Sequence, residues 1–318
     1  MVDVARAAGV SVKTVSRVVN NAPYVQQQLI DRVLAAVADL GFRRNGIAHT
    51  LRSGNATSTI GLITEDIANP FYSTIAAAAA EVALEHDTLL ITASSEEDPD
   101  WEQHLLLDLC SRRVDGLLVV PAGFDHGYLR VEVQMGLPVV FLDRPAGGLD
   151  ADTVLLDNRG GARAGVERLV AAGHRRVAAL LDSTSVYTMR ERVLGAREAL
   201  AGLTIHEGVR DPETAARVVG ALLDGADPPT AFFGTNNRIT VGILGELHRR
   251  RSPAAVVGFD DFEMSHLMPR PFTVIAYDTR ALGRQAAELL FRRVGGDRSA
   301  PTTTILPTVL VDRGLRGF

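Results

Sequence analysis

The sequence predicts an α/β protein in which a small N-terminal module of three helices precedes a larger body of parallel sheets flanked by helices. Three observations carry that prediction. Residues 2–20, VDVARAAGVSVKTVSRVVN, read as two short helices broken at Gly9. From Thr59 the texture changes to apolar, branched runs alternating with longer amphipathic stretches, the pattern of strands joined by helical crossovers. A chain of 318 residues, 46 % of them hydrophobic, is also too long for one ordinary core and divides into two or three domains.

At about 100° per residue, a helix starting at Val12 puts Val15, Val18 and Val19 on one arc and Lys13, Ser16, Arg17 and Asn20 on the other. One arc packs and the other faces outward. Ser11 is a good N-cap for that helix, and Val4, Ala5 and Ala8 give the preceding helix a small apolar stripe. This is the helix-turn-helix pattern, whose second helix can bring its N-terminal residues to base edges. The same spacing also fits an ordinary helical hairpin with a solvated charged face. Gln26 to Leu40 reads as a third helix, with Leu29, Val33, Val37 and Leu40 at helical spacing and Gly41 as its stop. Arg43 to Asn55 is a linker whose one possible turn, Ile47 to Leu51, is too short to stand alone.

Strands are expected at TIGLIT, LLIT, GLLVV, PVVFL, TVLL, VAALL, TAFFG and AAVVGF. Their number suggests two similar subdomains with a break near Asp150 to Thr153, and ligands in such folds bind where loops leave the carboxyl ends of strands.

The net charge of −5 conceals a split. Residues 1–54 carry seven basic side chains, including the only lysine, Lys13, against three acidic ones; the remainder holds 26 basic and 35 acidic side chains. A basic module on an acidic body suits phosphate contact by the module alone. The single cysteine, Cys110, excludes an intrachain disulfide and reads as a helical core thiol. No apolar run reaches the roughly 18 residues of a membrane span, and the chain begins in an amphipathic helix rather than a signal sequence. A soluble, reducing, cytoplasmic setting is expected.

Enzyme motifs are missing from the sequence. GGARAG at Gly160 to Gly165 lacks G-x-G spacing, G-x-S-x-G and H-E-x-x-H do not occur, and the eight histidines do not cluster at metal-ligand spacing. The expectation is a protein that is not an enzyme and has no cofactor or metal.

The motifs DVARAAGVSVKTVSRVVN, NGIAHTLR, GLITEDIANPFY, RRVDGLLVVP, PVVFLDRP, DNRGGARAG, AAGHRRVA, GTNNRITVG and VVGFDDFEMSHLMPRPFTVIAYDTRALGRQAAELL, in that order, resemble those of the LacI/GalR family of transcription regulators. The resemblance covers nearly the whole chain. It implies a helix-turn-helix DNA-binding domain at 1–43, a hinge at 44–56, and an effector-binding and dimerisation core at 57–318. That core would be periplasmic-binding-protein-like (type I), with one subdomain at 57–152 and 279–304 and the other at 153–278 and 305–318. The implied protein is a homodimeric repressor reading pseudo-palindromic double-stranded operator DNA under control of a small effector, most simply a sugar. A purine co-repressor is the alternative, and a solute-binding component of transport a remote one, since that would need an export signal.

Carried over position by position, the resemblance makes Val12, Lys13 and Arg17 the base readers, with Ser11, Thr14, Ser16 and Asn20 holding phosphates or capping the helix. Leu51 would be the hinge leucine that wedges into the minor groove, with Asn45, Ala48 and His49 along that groove. For the effector it implies Asn69, Phe71, Tyr72, Asp143, Arg144, Arg192, Asn236, Asp260 and Tyr277. The chain departs from the family pattern near this cleft: GLTIHEGVRDPE is short and lacks an aromatic, LHRRRSPAAVV has a shortened connection, Asn237 stands where Asp is common, and Tyr277 where Gln is frequent. The closing GLRGF lacks the leucine heptads of a tetramer-forming coil, so a dimer is expected.

Overall fold

The computed structural model describes residues 1–19, 22, 24–41, 57–268 and 270–314, in two compact units, Met1–Thr57 and Ser58–Phe318. Asn20, Asn45, Ala48, His49 and Leu51, and with them the hinge, lie outside the described residues.

In the first unit, α1 (Val2–Ala8), α2 (Val12–Val19) and α3 (Gln27–Asp39) close over a core of Val4, Ala5, Ala8, Val15, Val18, Val33 and Ala36. The apolar arc of α2 therefore packs as its spacing predicted. Gly9 ends α1 in the left-handed region at φ 61°, where a side chain costs roughly 1–2 kcal/mol. Arg32 of α3 donates to the carbonyls of Ala8 at 2.5 Å and Gly9 at 3.2 Å, satisfying acceptors that the end of α1 leaves open. Ser11 caps α2, its Oγ accepting from the Thr14 amide at 3.0 Å.

The second unit holds two six-stranded sheets. The first is ordered β11-β5-β4-β3-β1-β2, from β1 (Thr59–Thr64), β2 (Leu89–Ser94), β3 (Gly116–Val119), β4 (Val139–Leu142), β5 (Asp152–Leu156) and β11 (Thr303–Leu306). The second is ordered β12-β10-β9-β8-β6-β7, from β6 (Val177–Leu180), β7 (Thr204–His206), β8 (Ala231–Gly234), β9 (Ala255–Phe259), β10 (Thr273–Ala276) and β12 (Val309–Asp312). Neighbouring strands run parallel except β12, which is antiparallel to β10. Both faces of β3, β4, β6, β8 and β9 are buried, which is why these strands read as unbroken apolar runs rather than as alternation.

Helices cover both sheets. On the first lobe these include α4 (Pro70–Glu85), α5 (Pro99–Ser111), the short α6 (Arg130–Gln134) and α11 (Thr279–Val294); on the second, α7 (Asn158–Ala171), α8 (Tyr187–Ala199), α9 (Pro212–Leu223) and α10 (Asn237–Arg249). Cys110 of α5 is half-buried beside Leu106 and Leu109. Burial, then Glu132, pushes its thiol up to about 11, so it stays protonated and unreactive near neutral pH.

The chain passes between lobes three times: after β5, between β10 and α11, and between β11 and β12. β5 pairs with β4 and β11, so the first crossing follows Leu156 rather than the 150–153 break that the sequence suggested. The apolar residues of TVLL did not reveal which sheet they join. The last crossing likewise follows Leu306, two residues beyond the expected 304.

Gly195 marks the tightest approach of α8 to α7: a Cβ there would stand 2.0 Å from the Arg159 carbonyl oxygen. Gly195→Val is expected to cost roughly 1–3 kcal/mol by overpacking, read as a lowered urea midpoint; an unchanged midpoint would show that the helices separate freely.

Candidate functional site

On the first unit, Ser11, Val12, Lys13 and Arg17 are exposed on one side of α2, with Thr14 and Ser16 half-buried and Val15 and Val18 inside. The helix thus presents a polar, cationic surface beginning at its capped N-terminus. That surface suits base edges and phosphates.

In the second unit a cavity of about 590 Å³ opens between the lobes, lined by loops that leave the carboxyl ends of strands. Asp143 directly follows β4 and Asp260 directly follows β9, and both take left-handed backbone, at φ 66° and 69°. Asp tolerates that conformation better than most residues, and the turn sets each carboxylate at its strand's end.

The second-lobe wall is organised by Arg192 of α8. Its Nε donates to Asn158 Oδ1 at 2.8 Å and its Nη1 to the Thr235 carbonyl at 2.5 Å. Nη1 and Nη2 approach the two oxygens of Asp260 at 3.2 and 3.1 Å. The guanidinium lies over Phe259 at 3.7 Å, and the Tyr277 hydroxyl donates to Asp260 at 2.6 Å. Every group here is held by another, which fixes the wall before any ligand arrives.

Arg144 organises the first-lobe wall. It donates to the Pro121 carbonyl at 2.8 Å, to Glu65 at 3.0 Å and to Glu97. Tyr72 donates to the same Glu65 oxygen at 2.5 Å. Burial and then the neighbouring Glu97 push the Glu65 carboxyl up to about 7. Burial likewise raises Asp143 to about 6, against the pull of Arg144 and Arg192.

Among the described residues, hydrogen bonds join the lobes across the cleft. Asn237 donates to Asn69 at 3.1 Å and Arg238 to Asp66 at 2.5 Å. Burial opposes ionisation of Asp66, but the Ala68 amide and Arg238 outweigh it and hold its carboxyl below the ordinary range.

Residues 1–45 match the family described as bacterial regulatory proteins, lacI family, and residues 57–313 match periplasmic binding proteins and sugar binding domain of LacI family. The chain belongs to the LacI family. It is 29 % identical over 304 residues to the HTH-type transcriptional repressor PurR of Aliivibrio salmonicida, covering 92 % of this chain and 91 % of that protein. It is 28 % identical to the ribose operon repressor of Haemophilus influenzae, covering 98 % and 97 %. Among solved structures, the lac repressor dimer bound to operator and the anti-inducer ONPF superposes with a TM-score of 0.84 at 27 % identity, covering 99 % of this chain and 98 % of that one.

Within this LacI-family fold, Asn69, Phe71, Tyr72, Asp143, Arg144, Arg192, Asn236 and Asp260 all line one cavity. Tyr277 is not among the lining residues; it buttresses Asp260 and packs edge-on against Phe71 at 6.0 Å. Asn69 and Asn236 each have a prior duty, capping α4 through the Phe71 amide and α10 through the Ile239 amide. Sequence reasoning missed Glu65, Asp66, Glu97, Asn158, Thr188 and Arg238. Glu65 and Glu97 stand just past the ends of β1 and β2, so the strand-end rule was a usable signal for them. Asp66, two residues past β1, falls under the same rule, whereas Asn158, Thr188 and Arg238 depend on which helix N-terminus faces the cleft.

Proposed function

We propose that this protein is a transcriptional repressor that acts as a homodimer on pseudo-palindromic operator DNA in the cytoplasm, with affinity set by a small polyhydroxylated effector, most simply a sugar. It binds and catalyses no reaction. The observation that carries this reading is the joining, in one LacI-family chain, of a helix with exposed Val12, Lys13 and Arg17 to a two-lobed cavity walled by charged hydrogen-bonding groups. Val12, Lys13 and Arg17 read bases in each half-site; Ser11, Thr14, Ser16 and Asn20 hold phosphates; Leu51 wedges the central step, flanked by Asn45, Ala48 and His49. In the cleft Asn69, Phe71, Tyr72, Asp143, Arg144, Arg192, Asn236 and Asp260 hold the effector, with Tyr277 supporting Asp260. Effector binding favours one lobe angle and so shifts the equilibrium between DNA-binding states.

Selection of duplexes from a randomised pool tests the reading. Arg17→Ala is expected to relax preference at one position per half-site by about 1–3 kcal/mol, while the wild-type chain selects a two-fold symmetric sequence. Unchanged selectivity of the variant refutes the assignment of Arg17. A purine effector is the second reading, favoured by the PurR repressors among the relatives; thermal shift with guanine and hypoxanthine beside sugars separates the two.

A further inference from the structure

The first-lobe wall of the cleft holds more negative charge than the protein neutralises. Elsewhere in the cleft, Asp66 pairs with Arg238, Asp182 with Arg210 and Asp260 with Arg192. Around Arg144, three carboxylates share one cation: Glu65, Glu97 and Asp143. The side chains of Glu65 and Glu97 remain 28 % and 29 % exposed while Arg144 is 8 % exposed. The acids are therefore reachable from the cavity and the cation is largely spent behind them. Both glutamates meet the same nitrogen, Nη2 of Arg144.

Asp143 is the informative member. It lines the cavity, yet the residue is 3 % exposed. Among the described residues no N–H or O–H group donates a hydrogen bond to its carboxylate, and the nearest basic nitrogen is Arg144 Nε at 3.7 Å. A buried carboxylate without a donor is costly unless something arrives to supply one.

We propose that the effector of this protein carries a protonated amine, as an amino sugar does, and that its ammonium group sits against Glu65 and Glu97 in the field of Asp143. This rests on the reading of the cleft as an effector site. An ammonium brings three donors and a full charge, where a sugar hydroxyl brings one donor and none. Hydrogen bonds between ionised partners are roughly twice as strong as neutral ones, so the wall discriminates the amine from the hydroxyl at the same carbon. Burial, joined at Glu65 by the neighbouring Glu97, holds the carboxyls of Glu65 and Asp143 above their ordinary pKa, and a bound cation lowers them. Amine binding near pH 7 therefore releases protons that neutral sugars do not release.

Titration calorimetry on the full chain tests this with matched probes: 2-amino-2-deoxy-D-glucose, its N-acetyl form and D-glucose, and the same three in the galactose series. At least one amino sugar is expected to bind tenfold or more tightly than its two neutral partners, with a heat that depends on buffer ionisation. Glu97→Gln is expected to shrink that ratio several-fold. Neutral sugars binding as well as their amino partners would overturn the amine while leaving a sugar-controlled repressor intact. If none of the six binds at millimolar concentration, both the amine and the sugar reading fall. An undiminished ratio in Glu97→Gln, with Glu65→Gln also without effect, would remove the glutamates from the recognition.

Discussion

Arg192→Ala is expected to destabilise the core unit by about 3–5 kcal/mol, the usual penalty for removing one member of a buried ion pair. The guanidinium is 4 % exposed and bonds Asn158, Thr235 and Asp260 at once. Without it, the Asp260 carboxylate keeps, among the described residues, only the Tyr277 hydroxyl, and the Asn158 side-chain oxygen and the Thr235 carbonyl lose this donor. The face of Phe259 also loses its cation. Water entering from the cleft rehydrates part of this wall, which places the effect at the lower end of the range. Urea unfolding followed by the fluorescence of Trp101, the single tryptophan, would measure it. A loss under 1 kcal/mol would mean that the pair is solvated in solution and that the wall is not preformed.

Core stability is expected to fall, not rise, as pH increases from about 5 to 8. Glu65 is raised from 4.5 to about 7 and Asp143 from 3.8 to about 6. A carboxyl with a raised folded-state pKa holds its proton more tightly folded than unfolded, so its stabilisation is complete below the unfolded value and is lost as pH climbs through the folded one. The Glu65 shift alone corresponds to about 3 kcal/mol, an upper figure because Glu65 and Glu97 titrate together. Half-buried His206 is shifted down and works the other way, adding stability as pH approaches its ordinary value of 6.5. Carboxylates held low, such as Glu246 at about 2 between Arg249 and Arg250, act only in more acid solution. Urea midpoints at pH 5, 6.5 and 8 check the sign, and Glu65→Gln is expected to flatten the profile. A wild-type profile that rises over this interval would contradict the protonated wall.

Much of the fold was legible because parallel strands buried on both faces leave continuous apolar runs. All eight expected strands form, from TIGLIT at β1 to AAVVGF at β9. The four that escaped notice lacked that signature. β7 spans three residues, β11 has exposed Ile305, and β12 has exposed Val309 and Leu310. β10, TVIA, is buried but sits beside the Pro-containing MPRPF segment, and was not among the expected strands. The packed arc of α2 and the Ser11 cap followed from angle and spacing alone. In the cleft, the family resemblance pointed to Asp143, Arg144 and Asp260, and all three stand just past strand ends. The partners of these residues could not be read in the same way: Glu65 and Arg144 are 79 positions apart, and Arg238 meets Asp66 across 172. Spacing along a chain does not report which loops a fold brings together.

The last two strands give the fold an unusual birth order. β11 completes the first sheet beside β5, and β12, three residues later, completes the second beside β10. On the ribosome both lobes therefore remain one edge strand short until residues 303–312 have emerged, while the N-terminal helices, whose core draws on residues up to Val37, can already be folded. Unpaired edges of that kind invite association with other strands.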